Sequence, residues 1–253
     1  MIGALDRTFA TRVKNRDRLV GTTVTLPSPE IAEVLAAAGF DWLFVDMEHG
    51  LLAIADVQRI IQAAGACPCI VRVPANEPTW VSRVLDTGAA GVMVPHVGTA
   101  AEARQLVRAG MFPPRGDRSI GAARAEGFGA RLQDSVDGDN DIVLLVPQAE
   151  NIEAVRNIGE IAATPGVGAI FIGPFDLSAS LGKPGQIGDA EVQSAIATVR
   201  DACAAARIAC GIFTVDAGSA RKAIGEGYSL VCVATETILL AQTAAEVIRQ
   251  TRL

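Results

Sequence analysis

Lysine is scarce in this chain of 253 residues, and its placement excludes one whole mode of carbonyl chemistry. Only Lys14, Lys183 and Lys222 occur. None falls within or directly after a strand-like apolar run, where a desolvated Schiff-base amine would be held rigidly. A carbonyl substrate would then need a metal for its activation. The chain also lacks a basic stripe. Its net charge is −6, with arginines scattered among acids, which excludes a phosphate-tracking nucleic-acid surface and favours a small-molecule substrate. No apolar stretch reaches about 18 residues without Gly, Pro or charge, so no spanning helix is expected. The opening residues Met1-Ile2-Gly3-Ala4, followed by Asp6 and Arg7, show no apolar core of signal-peptide length. A cytoplasmic location is the expectation. No GxGxxG follows a strand, and no P-loop or GxSxG occurs, so nucleotide-binding and serine-hydrolase readings lack their defining residues.

Cysteine is present in an odd number: Cys67, Cys69, Cys203, Cys210 and Cys232. Most lie in apolar runs and read as small buried hydrophobes in a reducing compartment. Cys67-Pro68-Cys69 has neither CxxC spacing nor a second cluster, which argues against zinc.

Half the residues are apolar, and the length suits a single α/β barrel domain spanning 1–253. Short aliphatic runs alternate with alanine-rich amphipathic segments, the pattern of a parallel sheet with crossover helices. The runs are Val20 to Thr25, Trp42 to Asp46, Cys69 to Val73, Gly91 to Val94, Ile142 to Val146, Ala169 to Ile172, Ala209 to Phe213 and Leu230 to Val233. Nearly all are apolar throughout, as strands covered on both faces should be. The eight runs predict a closed (β/α)8 TIM barrel in preference to an open doubly wound sheet. Helix punctuation supports the alternation: Ser28-Pro29-Glu30 opens one helix and Gly39 closes it. Similar signals recur at Asn76 through Gly88, Thr99 through Gly110 and Asp216 through Gly227. Two connections are long, Met111 to Asp141 and Gly173 to Gly188. The first, with Pro113-Pro114-Arg115-Gly116 and Arg124, reads as a substrate cover, a subunit contact or a plain surface insertion.

In such a barrel the loops that follow the strands converge at one mouth, where the chemistry sits. Asp46-Met47-Glu48-His49 follows the second run, Arg72 closes the third and His96 follows the fourth. Gln148-Ala149-Glu150 follows the fifth and Gly173-Pro174-Phe175-Asp176 the sixth. Glu150 and Asp176 are the metal candidates, because neighbouring strand ends can bring two hard carboxylates to one Mg2+ or Mn2+, with Co2+ as a further candidate. Taken singly, each also reads as an acid at a helix N-terminus. Arg72 should face a carboxylate or a developing oxyanion, or else bridge the mouth structurally. His49 can move protons near neutral pH if an acid orients it. His96 reads as pocket lining.

The motifs Phe40-Asp41-Trp42, Asp46-Met47-Glu48-His49, Val71-Arg72-Val73-Pro74, Val84-Leu85-Asp86-Thr87-Gly88, Pro113-Pro114-Arg115-Gly116, Gln148-Ala149-Glu150 and Ile172-Gly173-Pro174-Phe175-Asp176-Leu177 occur in this order. Together they resemble the HpcH/HpaI aldolase family of metal-dependent class II pyruvate aldolases, from about Gly21 to the last helix. The resemblance implies a barrel of the phosphoenolpyruvate/pyruvate-domain type and reversible cleavage of 4-hydroxy-2-oxo acids to pyruvate plus an aldehyde, through a metal-bound enolate. Glu150 and Asp176 would then ligate the metal. Gln148 and the Gly173, Pro174, Phe175 and Asp176 segment would hold the donor carboxylate, and Arg72 would stabilise the enolate oxygen. His49 would act as acid and base on the C4 hydroxyl through water, with Asp86 raising its basicity. The residues alone put Asp86 near the end of its helix, and a neighbouring subunit is one source of it.

Two departures bear on the substrate. Many members carry a tryptophan where this chain has Thr22-Thr23, and a small residue where it has Phe175. The threonines are expected to leave room and a hydrogen-bond partner for a 3-hydroxyl, admitting hydroxypyruvate beside pyruvate. Family members resemble hexamers with an exchanged last helix, for which Thr237 to Ile248 is suitably apolar; an ordinary eighth barrel helix is the alternative. Two competing functions remain at this level. One is a related barrel lyase for a coenzyme A thioester or phosphoenolpyruvate-like acid, which should carry a basic nucleotide-binding surface that is not evident. The other is a non-catalytic metabolite-binding barrel.

Overall fold

The computed structural model describes residues 7–252; the sequence reading of Met1 to Ala4 and Asp6 lies outside them. Eight parallel strands close in sequence order: β1 (Leu19–Val24), β2 (Trp42–Asp46), β3 (Cys69–Arg72), β4 (Gly91–Val94), β5 (Leu144–Ala149), β6 (Ala169–Ile172), β7 (Ala209–Thr214) and β8 (Leu230–Thr235). The fold is thus the expected closed barrel. The helices are α1 (Arg7–Lys14), α2 (Pro29–Ala37), α3 (Ile54–Ala64), α4 (Pro78–Asp86), α5 (Ala100–Gly110), α6 (Leu132–Gly138), α7 (Ile152–Arg156), α8 (Ile158–Ala162), α9 (Pro174–Ser180), α10 (Ala190–Ala206), α11 (Ala217–Gly225) and α12 (Glu236–Thr251). Side-chain caps start several of them. The Ser28 hydroxyl accepts from the N–H of Ile31, and capping boxes form at Thr99 and Asp216.

Strand alternation sorts the core into two layers. Trp42, Phe44, Ile70, Leu144, Val146 and Phe171 point into the barrel. Leu43, Val45, Val71, Leu145 and Ile170 point outward beneath the helices. Inside, Trp42 stacks near Phe44, and Phe171 meets Phe44 edge-on at 5.6 Å between centroids. The aromatics fit because facing positions are glycine. A Cβ on Gly21 would lie 2.5 Å from the Trp42 ring, and one on Gly211 would lie 2.5 Å from Phe171. Helix α1 closes the amino-terminal end, with Phe9 and Val13 buried in the same inner cluster. At the β1–β8 seam, Glu236 Oε1 accepts from the N–H groups of Thr25 and Leu26 and from the Thr25 hydroxyl, at 2.7, 2.8 and 2.8 Å.

Two expectations need correction. The fifth strand is not Ile142 to Val146, because both Ile142 and Val143 donate their N–H to the Asp139 carbonyl and form a turn. The strand runs on to Ala149, which carries the polar Gln148 into the ladder opposite Phe171. The Met111 to Asp141 connection contains α6 and two 3-10 turns. It lies between the end of α5 and the start of β5, hence at the amino-terminal end of the barrel, and does not cover the mouth of its own protomer.

Helix α12 departs from an ordinary barrel helix. Glu236 is its one buried residue, while Leu240, Val247 and Ile248 are exposed. Among the described residues no helix is long and apolar enough to cross a membrane.

Candidate active site

The inward parity that buries Trp42 and Phe44 carries on to Asp46, the last residue of β2, and the parity of Ile70 carries on to Arg72. Paired in register, Asp46 and Arg72 form a two-pronged bond: Arg72 Nε to Asp46 Oδ1 at 2.9 Å and Nη2 to Oδ2 at 2.6 Å. The remaining guanidinium nitrogen, Nη1, lies 3.0 Å from Glu48 Oε2 and donates to Gln148 Oε1 at 3.4 Å. The flat face of the guanidinium covers the Phe44 ring at 5.1 Å. Burial acts to lower the Arg72 pKa, but the bonds and charge of Asp46, with Glu48 and Glu150 behind, raise it overall. Removing one partner of such a buried pair typically costs about 3–5 kcal/mol, because the other charge is stranded.

Asp46 also accepts from the N–H of Glu48 at 3.0 Å and of His49 at 3.4 Å, which curls the loop over the strand end. Gly50 allows that curl, since a Cβ there would lie 2.2 Å from the Asp46 carbonyl. Glu48 lies 3.6 Å from His96 Nε2 and 3.9 Å from His49 Nε2. Both imidazoles are largely exposed, 64% for His49 and 66% for His96.

Glu150 is buried, with 1% of its side chain exposed. Its Oε1 accepts from the His96 backbone N–H at 2.7 Å and lies 3.0 Å from His96 Nδ1, while Oε2 takes a bond from the Gln148 amide. Gly173 makes this packing achievable, because a Cβ there would sit 2.8 Å from Gln148 Nε2 and 3.0 Å from Glu150 Oε2. Burial pushes the Glu150 carboxyl up to about 7; the His96 contacts work against this, and the charges of Glu48 and Asp176 add to it. Asp176, in the first turn of α9, is exposed and has no hydrogen-bond partner for its carboxylate among the described residues.

These groups adjoin a cavity of about 320 Å³ whose lining includes Asp46, His49, Arg72, Gln148, Phe175 and Asp176 together with Thr23, Thr25, Phe213 and Thr235. The donor set fits a divalent cation. A desolvated carboxylate repelled by two others holds charge that a dication would neutralise, and Glu48 Oε2 is buried without a geometrically sound hydrogen bond. One ligand atom from each of Glu48, His96 and Glu150 lies within 4.8 Å of the others.

The sequence-derived candidates divide clearly. Arg72, Gln148, Glu150, Gly173, Pro174, Phe175, Asp176 and His49 share one end of the barrel. Asp86 does not join them within the chain. It ends α4 at the opposite end of the barrel, where its carboxylate pairs with Arg118 at 2.8 Å. Of the two threonines, only Thr23 faces the cavity. Thr22 has the opposite parity and donates its hydroxyl to the Val233 carbonyl at 2.9 Å. The sequence placed Asp46 and Glu48 at the mouth but gave them no role of their own; strand parity would have pointed Asp46 at Arg72, whereas the contacts of Glu48 emerge only from the loop's curl. Also missed was an arginine cluster, Arg104, Arg108 and Arg118, which lines a separate cavity of about 670 Å³ beside α4 and α5. Arg108 pairs with Asp117, and Arg118 pairs with Asp86 and Glu126. This cluster gives the mouth no phosphate-binding surface. Among the described residues no lysine lines the mouth cavity: Lys183 pairs with Asp189, Lys222 with Glu226, and Lys14 reaches the Asp141 carbonyl.

A parallel barrel whose mouth gathers carboxylates, an arginine and imidazoles, with no lysine among them, suits carbon–carbon cleavage without a Schiff base, and by family the chain is a class II aldolase, a carbon–carbon lyase. The chain belongs to the HpcH/HpaI aldolase/citrate lyase family, whose model matches residues 21–243. It is 37% identical over 250 residues to the hydroxypyruvate/pyruvate aldolase of Paraburkholderia phytofirmans, covering 95% of this chain and 96% of that one. It is 40% identical over 230 residues to the 4-hydroxy-2-oxovalerate aldolase of Rhodococcus jostii, covering 89% of each. Its fold is similar to the crystal structure of an HpcH/HpaI aldolase/citrate lyase family protein from Burkholderia cenocepacia, with a TM-score of 0.95, 36% identity and coverage of 98% and 100%.

Proposed function

We propose that the chain, acting as one barrel domain, cleaves 4-hydroxy-2-oxo acids to pyruvate or hydroxypyruvate plus an aldehyde, and runs the same reaction in the synthetic direction. The observation that carries this reading is Arg72, fixed by Asp46 and next to Gln148 and Glu150, beside a cavity sized for a small acid. Glu150 and Asp176 would hold a divalent cation, with Mg2+, Mn2+ and Co2+ as candidates. Bound there, it would supply Lewis-acid stabilisation of negative charge worth several kcal/mol.

The chain's own groups take the remaining roles. The Gln148 amide and the backbone from Gly173 to Asp176 orient the donor carboxylate. His49, exposed beside Glu48, accepts the C4 hydroxyl proton through water. As the C4–O bond becomes a carbonyl, the C3–C4 pair passes to C2–C3 and leaves an enolate. The Arg72 guanidinium faces the enolate oxygen, and protonation at C3 completes the donor product. Asp86 can raise the basicity of His49 only from a neighbouring subunit, given its place at the far end of its own barrel. The exposed apolar face of α12 supports a homohexamer in which that helix packs on a neighbour. Thr23 on the cavity wall supports hydroxypyruvate as donor. Five free cysteines suit a cytoplasmic setting.

Dialysis against a chelator tests this reading. Pyruvate release from 4-hydroxy-2-oxo acids should disappear and return with Mg2+ or Mn2+. Turnover that survives chelation, or none under any condition, would overturn it. A parallel assay of hydroxypyruvate and pyruvate with one aldehyde should show both used; absence of hydroxypyruvate turnover removes the Thr23 argument alone.

A further inference from the structure

We infer that Phe175 sets how long a substrate the mouth accepts, by standing between the mouth cavity and a second, mostly apolar pocket that would take an unbranched hydrocarbon tail at the aldehyde-derived end. This rests on the aldolase reading above and deepens it by naming the residue that limits substrate size. The second pocket measures about 130 Å³ and lies outside the barrel wall, between the top of β7 and helices α10 and α11, among Ile187, Ile196, Ile212, Ala223 and Tyr228. Pro174, Phe175 and Phe213 line both spaces.

The boundary follows from the strand ends. β6 stops at Ile172, in register with Ile212, so Phe213 projects one residue further along β7 and packs on the inner cluster. The chain leaving β6 turns at Gly173 into α9, where Pro174 is buried and Phe175 follows with 43% of its surface exposed. The two rings meet edge-on, with centroids 6.4 Å apart and planes at 62°. The Phe175 backbone is fixed, because the Ser178 hydroxyl donates to its carbonyl at 2.6 Å and accepts from the Gly185 N–H at 3.0 Å. The ring therefore stays at the boundary instead of joining the core.

The second pocket selects the kind of tail. Its polar neighbours already have partners: the Thr214 hydroxyl donates to the Cys232 carbonyl at 2.9 Å, the Gln193 amide donates to the Ile187 carbonyl at 2.7 Å, and Lys222 lies 3.7 Å from Glu226. What they leave open is aliphatic and aromatic surface, which favours methylenes over hydroxyls. Each methylene withdrawn from water strengthens binding by about fourfold.

Linear 2-oxo acids of increasing length share the carboxyl end and skeleton of the substrate and bind without turnover. Their affinities, with Mg2+ or Mn2+ present, should be measured by calorimetry for the wild type, Phe175→Ala, Phe175→Leu and the double variant Phe175→Ala/Ala223→Leu. In the wild type the gain per added methylene should stop once the chain reaches the ring. In Phe175→Ala it should continue at about two- to fourfold per methylene before levelling, with Phe175→Leu in between. Ala223→Leu, which fills the second pocket, should return the slope to that of the wild type. A crystal structure of Phe175→Ala with a long acid should show the tail between Ile196 and Tyr228, a check that does not depend on the double variant folding. An equal dependence on chain length in wild type and Phe175→Ala, or a tail directed into solvent, would overturn the role of Phe175 while leaving the aldolase reading intact. Failure of every 2-oxo acid to bind either protein would overturn both.

Discussion

The two ends of the barrel interior are built on opposite principles. The lower half is apolar: Trp42, Phe44 and Phe171 pack against one another, glycines make room for them, and α1 inserts Phe9 and Val13 beneath. The upper half, one strand repeat higher, holds Asp46, Arg72, Gln148 and Glu150 buried at the cavity. The first arrangement stabilises by removing apolar surface from water, at roughly 25 cal/mol per Å². The second concentrates desolvated charge that is neutral only in part. The contrast teaches that the lower half can be repacked to change stability while sparing chemistry, and that changes in the upper half act on chemistry first and on stability wherever they strand a buried charge.

The largest effect should follow from disturbing the upper half. Arg72→Lys keeps a positive charge but cannot fork onto Asp46 while also reaching Gln148. The kcat/KM for cleavage of a 4-hydroxy-2-oxo acid, read by pyruvate release, should drop by about 10²–10³-fold with a modest change in Tm. Near-wild-type turnover would break the comparison. In the lower half, Phe9→Ala should cost about 3 kcal/mol in denaturant unfolding and leave kcat unchanged at permissive temperature. A kcat loss as large as that of Arg72→Lys would mean that the plug and the mouth are coupled.

The smallest effect concerns pH. Burial, with Glu48 and Asp176 adding, raises Glu150 from 4.5 to about 7, so the folded chain binds that proton more tightly than the unfolded one. The associated stability is complete below the ordinary carboxyl range and is lost as pH rises through about 7. Metal-free protein should therefore lose several degrees of Tm across that window, given that about 1 kcal/mol moves a chain of this size by roughly 2–4 °C. Glu150→Gln should remove the slope, and saturating Mn2+ should flatten it. A pH-independent Tm of the metal-free wild type would show that the carboxyl is not destabilised by its setting.

Much of this architecture was legible before any coordinates. Eight apolar runs map onto eight strands because both faces of a parallel sheet are covered, which makes each strand stand out from its polar connections. The ends were harder. Ile142 and Val143 carry strand-like side chains but turn locally onto Asp139, and Gln148 is polar yet lies in the ladder. Apolarity alone misplaces both. Thr22 and Thr23 are alike in composition and differ only in parity, which depends on a strand register that residue types do not encode. Glu48 and His96 meet Glu150 through loop geometry rather than spacing, so their convergence was out of reach, whereas the distance of Asp86 from the mouth follows from its place at the end of its helix.

The Glu236 carboxylate bears on how the protein is made. It clasps Thr25 from 211 positions away, at the junction where the opening and closing strands meet. Contacts of such sequence separation form late, because a long loop must close before they repay its entropy. During ribosomal synthesis, the threonine-lined part of the cavity therefore stays unfinished until Glu236 has emerged. Arg72 and Glu150 are thus synthesised well before the pocket they serve can close, which favours delayed acquisition of activity over gradual gain.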